Sequence, residues 1–180
     1  MTANSLEAWS VAVRSSWDSP DQTLVEDCHR YLKRLALTPE TEPWLADLRR
    51  NRPANRELYR DSEHGFVLLA HSEPEGLYRP PHDHGRSWVI YAVQEGEVEM
   101  GAYAATAGDG NGCRLVKCSS TRMRAGDVQL YRPGDIHDTL CVEGPALLFR
   151  FTERDLRLEK LQGRMTRYAR QGGVWMAEAA

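Results

Sequence analysis

GLYRPPHDHGRSWVIYAVQEG, residues 76–96, and GDVQLYRPGDIH, residues 126–137, decide how this chain is read. The first stretch holds His82-Asp83-His84. On a strand, alternate side chains share a face, so His82 and His84 aim at one point. Two imidazoles from one strand are a common way to hold a divalent metal. The second stretch ends in His137, directly after the turn residues Pro133-Gly134-Asp135-Ile136.

Working outward, the residues after Pro53 read as short apolar or alternating runs separated by Gly, Pro, Asp and Ser. They are Phe66 to Ala70, Ser87 to Val93, Glu97 to Ala104, Cys113 to Cys118, Val128 to Tyr131, Thr139 to Val142 and Ala146 to Thr152. Strands of this length and spacing predict an all-β sandwich or barrel. Residues 106–112, TAGDGNG, read as a flexible hairpin connection. The first fifty residues have a different period. Leu24, Val25, Cys28, Tyr31, Leu32 and Leu35 follow 3.6 residues per turn in a helix opened by Pro20 and Asp21. Thr38-Pro39-Glu40 reads as the cap of a further helix carrying Trp44, Leu45 and Leu48. Ser5 through Trp17 is a weaker helical segment. The tail from Glu153 reads as a short helix and a last strand around Arg164 to Tyr168. The expectation is one domain: a helical front over 1–53, a β-barrel over 54–152 and a closing segment over 153–180.

The 180 residues suit one domain with a real core. A net charge of -3 lacks the positive excess of a nucleic-acid-binding domain. The basic residues from Arg154 to Arg170 alternate with Asp155 and Glu159 and read as a solvated face. No apolar run is long enough for a membrane helix. No signal peptide is visible, so the cytoplasm is the expected compartment. Cys28, Cys113, Cys118 and Cys141 form no C-x-x-C pair and read as free thiols, with Cys113 and Cys118 as cross-strand neighbours if a hairpin joins them. His29, His64 and His71 read as structural or exposed. Trp17, Trp44 and Trp88 read as packing between helices and barrel.

The two opening stretches resemble the paired motifs of the cupin superfamily, G-x5-H-x-H-x3,4-E-x6-G and G-x5-P-x-G-x2-H. The second proline here comes one place late, at Pro133. The resemblance covers about residues 65 to 152. It implies a double-stranded β-helix, a cupin or jelly-roll barrel, with His82, His84 and His137 as metal ligands. The motif's glutamate falls at Val89, which cannot ligate. Three-histidine cupins without that glutamate resemble the thiol dioxygenases, of which cysteine dioxygenase is one branch. What this implies is a non-haem Fe(II) dioxygenase that turns a small thiol carboxylate into a sulfinate with O2. Three neutral imidazoles alone do not separate Fe from Ni, Mn or Zn.

The family's Ser-x-His-x-Tyr strand is replaced here by Leu148, Arg150 and Thr152, aligned on Pro145. Alternation turns these three into the barrel and Leu147, Phe149 and Phe151 outward against the helices. Arg150 inside a barrel calls for an anion: a substrate carboxylate, an internal acid, or water at the mouth. The family's own carboxylate-binding arginine precedes the barrel, where Arg56 and Arg60 are the candidates beside a solvated basic face. Tyr91, two residues after Val89, shares the inward face. Its hydroxyl is either a catalytic hydrogen-bond donor or part of a barrel-wall tyrosine. The other readings are a metal-dependent cupin for another small organic acid and a non-catalytic cupin that binds a small anion. Cupins often pair through barrel edges, which leaves a homodimer open.

Overall fold

The structure, a computed structural model, describes residues 4–18, 23–107 and 113–178. The expected helix start at Pro20 and Asp21 and residues 108–112 of the expected loop lie outside them. Three helices come first: α1 (Ser5–Asp18), α2 (Leu24–Ala36) and α3 (Pro43–Asn51). Asn4 and Glu7 cap α1 reciprocally, each side chain accepting from the other's backbone N–H, at 2.9 and 3.3 Å. The buried face of α2 is Cys28, Leu32, Leu35 and Ala36, as the period predicts. The third helix departs from expectation. Pro43 opens it, not Pro39, because Glu42 takes the extended cap conformation and proline's fixed φ suits the first helical position.

The strands are β1 (Arg56–Arg60), β2 (Val67–Glu73), β3 (Tyr78–His82), β4 (Val89–Ala107), β5 (Cys113–Arg124), β6 (Val128–Tyr131) and β7 (Ile136–Thr152). β4 and β7 are the two long strands, and they pair antiparallel from Val89↔Thr152 to Tyr103↔Ile136. Each runs through both layers of one folded seven-stranded sheet. The first half of β4 and the second half of β7 join β2, β1 and β6. The other halves join β3 and β5. Two layers sharing two bent strands are a double-stranded β-helix. Two pairs of expected strands therefore fuse: Ser87–Val93 with Glu97–Ala104, and Thr139–Val142 with Ala146–Thr152. The bend in β4 centres on Gly96, with φ +78 and register shifts on both sides. A Cβ there would stand 2.6 Å from the Glu143 carbonyl oxygen, so only glycine fits the corner.

Alternation along β4 and β7 sorts two cores. Trp88, Ile90, Ala92, Leu147, Phe149 and Phe151 face outward and pack under the helices. Val89, Tyr91, Val93 and Leu148 face inward and join Met100, Met123 and Cys141 inside the barrel. Trp17 and Trp44 pack in the outer core, tilted against Phe66 and Phe149. Cys28 and Cys141 are buried free thiols and Cys118 is exposed. Cys113 and Cys118 lie on one strand, β5, so they are not cross-strand neighbours.

The tail holds a short helix, α4 (Leu156–Leu161), then a hairpin of β8 (Tyr168–Gln171) and β9 (Val174–Ala177). The strand expected near Arg164 begins later, at Tyr168. Residues 163–167 instead run along the histidine loop, where Thr166 and Arg167 pair with Asp83 and His82. Among the described residues no helix is long and apolar enough to cross a membrane.

Candidate metal centre

His82 is the last residue of β3, and its register partner across β7 is His137. His84 lies beyond the strand end, in a turn, so the expectation that both histidines sit on one strand is corrected. Their convergence comes from that turn. Asp83 fastens it: its side chain accepts from the Gly85 N–H at 2.9 Å and the Thr166 N–H at 3.0 Å. The Asp83 N–H donates to the Thr166 carbonyl at 3.0 Å. One more fastening comes from α4. Buried Glu159 accepts from the Arg86 N–H at 3.1 Å and from Arg164 at 2.9 Å. The closing segment thus clamps the loop that carries two of the three histidines. The reading of residues 154–170 as a solvated face misses this. The only sequence signal was a glutamate on the apolar side of a short helix.

The three histidines come together as expected. One ring nitrogen from each of His82, His84 and His137 lies within 4.8 Å of the others. The Nε2 atoms of His84 and His137 stand 3.4 Å apart. Two nitrogens about 2.1 Å from one ion stand about 3.0 to 3.4 Å apart at octahedral to tetrahedral angles. His82 donates through Nδ1 to the Pro80 carbonyl at 2.9 Å, which leaves its Nε2 lone pair for a ligand role. Burial holds all three imidazoles below the ordinary histidine range, with the neighbouring histidines or guanidiniums adding to it. Neutral rings with converging lone pairs fit a divalent cation. The Tyr131 ring stacks on His137 with centroids 3.9 Å apart and fixes its plane. Val89, at the place of the motif's glutamate, is wholly buried in the barrel core.

A cavity of about 300 Å³ opens beside the histidines. Tyr91 lines it, with its hydroxyl 3.3 Å from His84 Nε2. Burial raises the Tyr91 phenol, and the adjacent Arg150 guanidinium offsets part of that rise. Arg150 lines the same cavity, and its Nε is buried without a partner. Of the arginine candidates, only Arg150 is brought to the histidines. Arg56 is exposed and paired with Asp47 on α3. Arg60 is held by Glu57 and Asp155, at 2.7 and 2.8 Å, and lines a second cavity of about 280 Å³. Edge strand β1 turns both outward, where nearby acids neutralise them. Arg150, Met165 and Arg167 line both cavities.

Of the two readings of His71, structural or exposed, its burial favours the structural one. His71, on β2, is 8% exposed and lines the metal-facing cavity. Burial, with Arg150 and Arg79 nearby, pushes its imidazole down to about 3. The sequence signal was available: His71 alternates with Leu69 and Glu73 on the inward face of a strand that opens with Val67.

Comparison with protein-family models and with curated proteins gives no match. Among solved structures the chain is similar to KdgF from a Halomonas species, at 17% identity over 58% of this chain and 82% of that one, with a TM-score of 0.45. A conserved double-stranded β-helix protein from Klebsiella pneumoniae gives 17% identity over 67% and 84%, with a TM-score of 0.40. An oxalate oxidase gives 22% over 56% and 51%, with a TM-score of 0.42. By its own geometry the chain is a double-stranded β-helix whose three histidines converge beside a cavity and could hold a metal ion.

Proposed function

We propose that the protein is a non-haem Fe(II)-dependent dioxygenase of thiol dioxygenase type, which oxidises a small thiol carboxylate to the sulfinate with O2. The observation that carries this reading is the unpartnered Arg150 guanidinium nitrogen in the cavity of a three-histidine site that has no carboxylate ligand. His82, His84 and His137 would hold the metal. Bound there, Fe(II) supplies the redox chemistry by which a thiolate and O2 combine, both oxygen atoms going to sulfur. Every other contribution belongs to the chain.

Arg150 takes the carboxylate through charge-assisted hydrogen bonds and sets the distance from carboxylate to sulfur. Tyr91, protonated because burial raises its phenol, offers a hydrogen-bond donor beside His84. Leu148 and Met165 supply apolar wall that excludes bulk water. Small anionic thiols and O2 are the partners in this reading, and a cytoplasmic setting suits a free thiol substrate.

The test is oxygen uptake by Fe(II)-loaded protein across a panel of small thiol carboxylates. One O2 consumed per sulfinate formed is the expected result, lost in Arg150→Ala. Tight ligand binding with no uptake from any thiol would replace this reading with a non-catalytic anion-binding cupin, for which the same orphaned Arg150 Nε speaks.

A further inference from the structure

The polar groups lining the metal-facing cavity are mostly engaged. Tyr91 reaches His84, and Glu73 takes parallel bonds from Arg79 at 2.7 to 3.2 Å. Apart from His84 Nδ1, on a ring of the metal centre, two atoms of the lining are left over. Arg150 Nε and His71 Nε2 are both buried and lack a partner. They sit on neighbouring strands of one sheet, with Leu69 opposite Arg150 and His71 opposite Leu148.

His71 is tied at its other nitrogen. Its ring bonds the backbone at Ala54, which places the proton on Nδ1 and leaves Nε2 as a lone pair. The charged neighbours are Arg150 and Arg79, with Glu73 on the same strand face, and both guanidiniums act against a second proton. So two residues of the cavity wall carry, just beneath its surface, an unfilled donor for an anion and an unfilled neutral acceptor. A plain thiol carboxylate satisfies the first and leaves the second dry. A ligand that carries a donor there gains a hydrogen bond that a plain thiol carboxylate does not.

We infer that His71 is a specificity-determining residue whose Nε2 accepts a hydrogen bond from a hydroxyl or ammonium group on the ligand, next to the carboxylate that Arg150 holds. The preferred ligands are therefore small thiol carboxylates substituted with a donor at the carbon that bears the carboxylate. This rests on the proposed reading of the cavity as a thiol-carboxylate site, and is independent of whether the thiol is oxidised.

Three probes share the thiol and the carboxylate and differ at that carbon: 3-mercaptopropionate with hydrogen, 3-mercaptolactate with hydroxyl, and cysteine with ammonium. Calorimetric titration of Zn(II)-loaded protein, which is redox-inert, reads binding without turnover. At least one donor-bearing probe is expected to bind about tenfold more tightly than 3-mercaptopropionate. His71→Leu removes the preference and leaves 3-mercaptopropionate binding unchanged. His71→Gln, with a carbonyl in place of the ring nitrogen, keeps most of it. A second readout needs no substitution: in protein labelled at the histidine nitrogens, the His71 Nε2 resonance shifts with a donor-bearing probe and not with 3-mercaptopropionate. Equal affinities in the native protein, a preference that survives in His71→Leu, an unmoved resonance, or no saturable binding by any probe would each overturn the inference. Absent oxygen uptake with Fe(II), together with an intact His71-dependent preference, overturns the dioxygenase reading alone.

Discussion

Glu159 offers the sharpest mechanical test of how this site is held. It is 1% exposed, and it links α4 to the histidine loop by accepting from the Arg86 N–H. Burial by itself would raise its carboxyl. The Arg86 amide, then the Arg164 and Arg154 guanidiniums, outweigh burial and hold it below the ordinary carboxylate range. Glu159→Ala deletes all of these at once. A hydrogen bond from a partly buried amide to a charged acceptor contributes about 2 kcal/mol. The Arg164 contact, with 31% of that side chain exposed, adds about 1 kcal/mol after screening by solvent. The sum, about 3 kcal/mol, lowers the melting temperature of a chain this size by roughly 6 to 12 °C. Because Arg86 is two residues from His84, metal affinity should also fall, by about tenfold. Glu159→Gln keeps an oxygen that can accept from Arg86 and loses only the charge, so it should cost about 1 kcal/mol. Denaturant unfolding of the metal-free proteins and competitive metal titration of the same samples measure both effects. A loss under 1 kcal/mol in Glu159→Ala with metal affinity unchanged would show that the tail does not clamp the loop.

Phe151→Ala should destabilise by about 3 to 5 kcal/mol in urea unfolding, since the ring is wholly buried among Trp9, Trp17, Phe66 and Trp88. His71, held at about 3 in the fold, takes up a proton first in the unfolded chain, near 6.5. Its stabilising contribution is therefore complete above pH 6.5 and declines on acidification towards pH 3. The plot of unfolding free energy against pH for His71→Leu should be shallower between pH 4 and 6 by up to about 1.4 kcal/mol per unit. A parallel plot would place His71 in contact with solvent. His137→Ala should leave fewer than three imidazoles and abolish stoichiometric metal retention, read by elemental analysis after purification without chelator. Gly96→Ala combines a left-handed backbone with a 2.6 Å approach to the Glu143 carbonyl, and soluble expression with a native melting profile would contradict the bend described for β4.

What could be read from the sequence divides along the range of the interactions involved. Alternation is a local property, so Val89, Tyr91 and Leu148 inside, and Phe149 and Phe151 outside, follow from period two alone. The three histidines were legible because turn glycines and short spacings marked them. The bent strands were not, since Gly96 and Gly144-Pro145 read as ordinary turn signals whether a strand ends or merely folds over. The arginines show the limit most clearly. Arg56, Arg60 and Arg150 are alike as residues. What separates them is whether an acid from a distant element arrives: Asp47 from α3 takes Arg56, Asp155 from the tail takes Arg60, and nothing among the described residues takes Arg150 Nε. Charge compensation is settled in three dimensions, over separations such as the 95 residues between Arg60 and Asp155. The same holds for His71, which the sequence leaves as structural or exposed because burial depends on the sheets that close over it. A cavity that keeps one guanidinium nitrogen and one imidazole nitrogen dry and unpaired has a polarity that the net charge of -3 conceals. That local polarity, more than the fold, determines what the site can select.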